Sequence, residues 1–164
     1  MGPRLWPISR KNYPKQFSKI FGDRTLFQEI LSKFSGSNEI EFSDIITLTN
    51  SEFRFIVAEQ IEEVNIHPGP ILIEPSSKNT APAILAATLK VIEKDKDGVL
   101  IVTPSDQIVP DKEEFLKAIR VAKDIAEKGK LVTFGVKPTR PETGFGYLEL
   151  ADPISKEPQD LLRF

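Results

Sequence analysis

The chain of 164 residues has no cysteine and a single histidine, His67. The first absence excludes disulfide frameworks, thiolate zinc sites and cysteine nucleophiles, and it is compatible with a reducing cytosol. The second leaves no histidine pair for a relay or a zinc site, so His67, beside Pro68 and Gly69 in an expected loop, is given no catalytic role. An excess of one charge is also missing. With 22 basic and 24 acidic residues the formal net charge is -2, which gives no footprint for wrapping nucleic acid or coating an anionic membrane. Apolar runs reach about half of a bilayer span or less, and Met1-Gly2-Pro3-Arg4-Leu5-Trp6-Pro7 lacks the apolar stretch of a signal peptide. These absences describe a soluble, cytoplasmic protein with neither nucleic acid nor membrane as partner.

What is present is the mixture of a globular domain, 40% apolar and 28% charged, from which one core is expected. Thirteen prolines stand at the ends of apolar runs and act as punctuation. Thr25 and Gln28 have capping-box spacing ahead of Leu26, Phe27, Ile30, Leu31 and Phe34, which share a helical face ending before Gly36. A β-branched run from Asp44 to Leu48 predicts a strand, and Asn50 can cap a helix carrying Phe53, Ile56, Val57, Gln60, Ile61 and Val64. The alternation continues with a strand at Pro70–Pro75, a helix from Asn79 or Thr80 to about Glu93, and a third strand at Gly98–Thr103. A helix from Asp111 to Gly129, a fourth strand at Leu131–Val136 and a fifth at Phe145–Leu150 complete the pattern. Strands this apolar, alternating with helices, predict an α/β fold with a mainly parallel sheet. In such sheets ligands bind beyond the carboxyl ends of the strands.

Four segments carry candidate chemistry, each with a plainer reading beside it. Arg4, Arg10 and Lys15 in the first fifteen residues suit a phosphate clamp, or form a solvated basic arm. Asn79 and Thr80, after Glu74 and Lys78, stand at a helix start, where free N–H groups favour an anion, or they cap the helix. Asp106, at the end of an apolar run, suits Mg2+, or forms a turn or caps a helix. Glu142-Thr143-Gly144-Phe145-Gly146-Tyr147 offers backbone amides to sugar hydroxyls, or makes a tight turn into a strand.

Taken in order, Arg4-Leu5-Trp6-Pro7-Ile8-Ser9-Arg10 with Pro14-Lys15-Gln16-Phe17, then Glu74-Pro75-Ser76-Ser77-Lys78-Asn79-Thr80-Ala81-Pro82-Ala83, Pro104-Ser105-Asp106 and Glu142–Tyr147 resemble the mannose-1-phosphate guanylyltransferase family. These are the GDP-mannose pyrophosphorylases of the bacterial type, often fused to a mannose-6-phosphate isomerase module. The resemblance runs over nearly the whole chain. It implies a Rossmann-like nucleotide-diphospho-sugar transferase fold, with helices on both faces of the sheet. The implied reaction transfers GMP from GTP to mannose 1-phosphate, giving GDP-mannose and pyrophosphate, with Mg2+ as cofactor.

Carried over by position, the resemblance gives Arg4, Lys15 and Asp106 the catalytic roles. Arg4 serves the triphosphate and the departing pyrophosphate, Lys15 the transferring phosphate, and Asp106 the metal. Gly2, Arg4, Lys15, Glu74, Asn79 and Thr80 are the implied nucleotide contacts, and Gly146 offers its backbone to mannose. Family members begin with an apolar strand and a Gly-Gly-x-Gly-x-Arg loop, whereas here Gly2-Pro3-Arg4 opens the chain, and Gln107 stands where the family commonly has histidine. The expectation is therefore a partial nucleotidyltransferase domain over residues 1–164, lacking its first strand and the later sugar and metal part. Neighbouring ladder groups are then left unpaired or the other strands rearrange, and an exposed sheet edge would favour a homo-oligomer. Two other readings stand beside this one: a non-catalytic remnant that binds nucleotide or a partner, and a nucleotidyltransferase for another hexose 1-phosphate.

Overall fold

The computed structural model describes residues 13–20, 22–35, 40–66, 68–76, 78–155 and 157–164. Gly2, Arg4, Arg10 and His67 lie outside the described residues. The chain divides into two compact units, Met1–Phe115 and Leu116–Phe164.

Among the described residues the first unit begins with a 3-10 turn at Lys15–Phe17 and helix α1 at Leu26–Lys33. Thr25 and Gln28 form the expected capping box: the Thr25 hydroxyl accepts from the Gln28 amide at 3.2 Å, and the Gln28 side chain accepts from the Thr25 amide at 3.0 Å. Such a cap contributes about 1 kcal/mol, and it fixes where the helix begins. At its other end, the Lys112 ammonium donates to the carbonyls of Ser32 and Ser35 at 3.2 and 2.5 Å, placing a cation where the helix dipole is negative.

Strand β1, Ile45–Asn50, helix α2, Arg54–Glu63, and strand β2, Pro68–Glu74, make a β-α-β unit whose strands pair in parallel. The register sets Leu48 opposite Leu72 and Asn50 opposite Glu74, so both carboxyl ends finish level. A β-carbon at Gly69 would stand 2.4 Å from the Ile45 carbonyl oxygen, so the close start of this ladder needs glycine there. Asn50 accepts from the Phe53 amide at 3.1 Å, capping the turn that leads into α2.

The core of this unit is Phe17, Phe27, Ile30, Leu31, Val57 and Ile61, drawn from the turn, α1 and α2. Phe17 meets Phe27 edge-on at 6.0 Å between ring centroids, and it meets Phe53 at 5.6 Å. Burying each such aromatic or aliphatic side chain contributes about 1.5–3 kcal/mol before entropic costs. Helix α3 spans Thr80–Lys94, and α4 spans Lys112–Ala126, with the boundary between the units falling inside α4. The Asp111 carboxylate accepts from the Glu114 amide at 2.9 Å at the start of α4.

In the second unit α4 ends ahead of Gly129, which takes a positive φ of 81°. Strands β3, Glu149–Leu150, and β4, Leu161–Arg163, pair antiparallel, with an ion pair from Arg163 to Glu149.

The α/β class is as expected, but the sheet is smaller. Residues 98–103 and 131–136 are not strands, and the expected strand at 145–150 is reduced to its last two residues. The reason is pairing: a strand exists only as part of a ladder, and among the described residues neither segment has a neighbouring strand. Their side chains stay correspondingly open, with Val99, Val102, Val132 and Phe134 exposed and Leu131 fully so.

Candidate functional site

Pro14 is extended, with φ -63° and ψ 154°, and its carbonyl accepts from the Phe17 amide at 3.1 Å to close the turn that carries Lys15. Proline favours this position because its ring fixes φ near the required value. The turn is held from beneath in two ways. The Phe17 ring is sunk in the core, and the Phe17 carbonyl accepts from the Tyr13 hydroxyl at 2.8 Å and from the Gln60 side chain at 3.1 Å.

Gln60 is itself buried and accepts the Thr25 hydroxyl at 2.7 Å. Gln28 adds bonds to the Gln60 carbonyl at 3.2 Å and to the Glu63 carboxylate at 2.6 Å. A satisfied polar network thus ties the turn to α1 and α2. Site reasoning from sequence passed over Gln60, although an amide on the apolar face of α2 was the available signal.

From this anchored turn Lys15 reaches Asp106, far along the chain, with 2.6 Å between the ammonium and a carboxylate oxygen. Asp106 sits in a two-residue turn with Ser105, after the apolar run 98–103. Both side chains are 36% exposed. An ion pair this open to water contributes about 0–1 kcal/mol, too little to make stability its main consequence. It brings a phosphate-binding type of cation against a magnesium-binding type of carboxylate.

The other candidates fall elsewhere. Glu74 ends β2, and Asn79 and Thr80 open α3. Asn79 takes a positive φ of 67° and its side chain makes no capping hydrogen bond, so the capping reading of that residue fails. Its backbone turn supplies the helix entry instead. Thr80, the first residue of α3, is exposed.

Gly146 lies in the second unit, in a turn organised by Glu142. The Glu142 carbonyl accepts from the Phe145 amide at 3.2 Å and from the Tyr147 hydroxyl at 3.0 Å, and the Glu142 carboxylate accepts from the Gly144 amide at 3.3 Å. The tight-turn reading of this segment therefore holds, though β3 starts later, at Glu149. Space beside Gly146 is open, with no atom within 4 Å of an added β-carbon.

A cleft of about 400 Å³ is bounded by Tyr13, Phe17, Lys19, Gln60, Glu59 and Glu63 among others. None of the predicted site residues lines it, and two glutamates on its wall disfavour a phosphate, so the candidate site rests on Lys15 and Asp106. Among the described residues no three histidine, aspartate or glutamate side chains gather as a metal cage. No helix among them is long and apolar enough to cross a membrane.

Comparison with known proteins adds sequence relationships to this geometry. A family model described as nucleotidyl transferase matches residues 1–161. A mannose-1-phosphate guanylyltransferase of Salmonella montevideo is 46% identical over 147 residues, covering 90% of this chain and 30% of its own length. The xanthan biosynthesis protein XanB of Xanthomonas campestris pv. campestris is 44% identical over 148 residues, covering 90% of this chain and 31% of its own length. The crystal structure of a mannose-6-phosphate isomerase from Helicobacter pylori superposes with a TM-score of 0.76 at 38% identity, covering 94% of this chain and 56% of that one. The chain thus spans about a third of the length of the curated relatives it matches.

Proposed function

Because the chain belongs to the nucleotidyl transferase family, we propose that it carries the GMP-transferring site of a mannose-1-phosphate guanylyltransferase. The substrates would be GTP and mannose 1-phosphate, and the products GDP-mannose and pyrophosphate. The observation that carries this reading is the approach of Lys15 to Asp106 in a chain similar in sequence to such enzymes.

In the proposed reaction an oxygen of the sugar phosphate attacks the α-phosphorus of GTP while the bond to pyrophosphate breaks. Catalysis then consists of positioning and charge neutralisation, with no protein nucleophile. Lys15, on its anchored turn, would neutralise the transferring phosphate. Arg4 is assigned to the triphosphate and the departing pyrophosphate, and Gly2 to the nucleotide, both outside the described residues. Glu74 at the end of β2 and Asn79 and Thr80 at the start of α3 are assigned to the guanosine, and Gly146, with open space beside it, to the mannose.

Mg2+ fits the donor set. Asp106 is a hard oxygen donor already balancing a cation, and one carboxylate completed by phosphate oxygens and water is this ion's usual coordination. When bound, the ion would supply positive charge to the phosphate oxygens. A cytoplasmic setting accords with a chain free of cysteine, and self-association belongs to the same proposal.

Release of pyrophosphate from GTP, mannose 1-phosphate and Mg2+ tests the reading. Lys15→Met and Asp106→Asn should each reduce the rate about 100-fold or more, the usual loss when a group stabilising the transition state is removed. Faster turnover with another nucleotide or hexose 1-phosphate would move the assignment to that substrate pair. The lack of ladders at 98–103 and 131–136 among the described residues favours a second reading, a chain that binds GTP without turnover. Saturable GTP binding with no pyrophosphate would select it.

A further inference from the structure

Resting on that assignment of Asp106 to the metal, we infer that Lys15 is the internal counter-ion of Asp106, displaced when a divalent cation arrives, so that filling the metal position releases the ammonium. Three observations point to such an exchange. The ammonium occupies a carboxylate oxygen at 2.6 Å, in a position that a cation bound to Asp106 would contest. Both side chains are about one-third exposed, so water and ions reach the pair and its attraction is weak enough to be exchanged. The backbone beneath Lys15 is fixed by the buried Phe17 ring and by the bonds of Tyr13 and Gln60 to the Phe17 carbonyl. The four-carbon side chain can therefore move while the turn stays in place.

The charges give the exchange its direction. Lysine and aspartate together are neutral, whereas a divalent ion on Asp106 repels a neighbouring ammonium, which is driven off the carboxylate. It becomes available to a phosphate only once the metal position is filled. A phosphate arriving first meets a lysine already partnered, so the pair imposes an order in which metal binding precedes full phosphate binding.

Manganese(II) chloride alone, without nucleotide, is the probe, and local paramagnetic broadening of the amide signals of Thr103, Ser105, Asp106 and Gln107 is the readout. The amide spectrum also reports whether each variant is folded. Lys15→Met should reach half-broadening at about 3–10-fold lower Mn2+, since it removes both a competing ion pair and a like charge. Lys15→Arg, which keeps the cation, should stay within about twofold of the unsubstituted chain, and Asp106→Asn should lose the local broadening.

Equal or weaker Mn2+ binding by Lys15→Met, with binding still lost in Asp106→Asn, would overturn the exchange and leave Asp106 as metal ligand. Undiminished broadening in Asp106→Asn would overturn the metal assignment itself, and the exchange with it.

Discussion

Replacing Gln60 by leucine, alone and together with Tyr13→Phe, probes how the turn carrying Lys15 is held. Leucine of similar size removes the bond to the Phe17 carbonyl and leaves the Thr25 hydroxyl proton without its acceptor, while the Phe17 carbonyl keeps the Tyr13 hydroxyl. An orphaned buried donor costs about 1–3 kcal/mol, and the lost bond about 1 more, partly offset by the added apolar burial, so Gln60→Leu should destabilise by about 2 kcal/mol. Tyr13 is half-exposed, and Tyr13→Phe alone should cost about 0.5 kcal/mol, because Gln60 still serves the carbonyl.

In the double variant the buried Phe17 carbonyl has neither donor. The combined loss should therefore exceed the sum of the single losses by about 1–2 kcal/mol. Urea unfolding of all four proteins measures this, with the denaturant slope checked for constancy. Additivity to within about 0.5 kcal/mol would refute the view that both donors share one carbonyl as the anchor of the turn.

Further outcomes follow from single contacts. Gly69→Ala should destabilise by about 1–3 kcal/mol in thermal or urea unfolding, because its β-carbon meets the Ile45 carbonyl oxygen at 2.4 Å and backbone on both strands must shift. Gly146→Ala should change stability by less than about 0.5 kcal/mol, the side being open, so weaker mannose 1-phosphate binding in that variant would report ligand contact rather than misfolding. Lys123 has a pKa raised chiefly by its hydrogen bond to Glu127 and by the Glu127 charge. Its pairing is therefore complete below the ordinary lysine range and is lost as pH rises through the raised value, and Glu127→Gln should bring the Lys123 titration down when followed by NMR.

Local signals were the most legible part of the sequence. The Thr25 and Gln28 capping box, the strand now seen at Ile45–Asn50 and the α4 start at Asp111 depend on a few adjacent residues and appear where the pattern puts them. Gly98–Thr103 and Leu131–Val136 are as apolar as β2 but form no ladder among the described residues, because a strand requires a partner that its own sequence does not contain. Asn79 departs for a related reason. Its residue type suits a cap, but the chain leaving β2 turns through a positive φ there, and the side chain makes no capping bond. At the candidate site, residue types named Lys15 and Asp106 separately. Their contact depends on the tertiary path between them, and the Gln60 network beneath Lys15 becomes visible only once α1, α2 and the turn are packed together.

Calorimetric titration with GTP in the presence of Mg2+, on the unsubstituted chain, Lys15→Met, Asp106→Asn and the double variant, bears most directly on the proposed site. The account predicts saturable binding that each single substitution weakens about tenfold or more, with the double variant losing less than the product of the two, because lysine and aspartate act on one metal-bound triphosphate. Affinity unchanged by either substitution, or no binding by the unsubstituted chain, would contradict it.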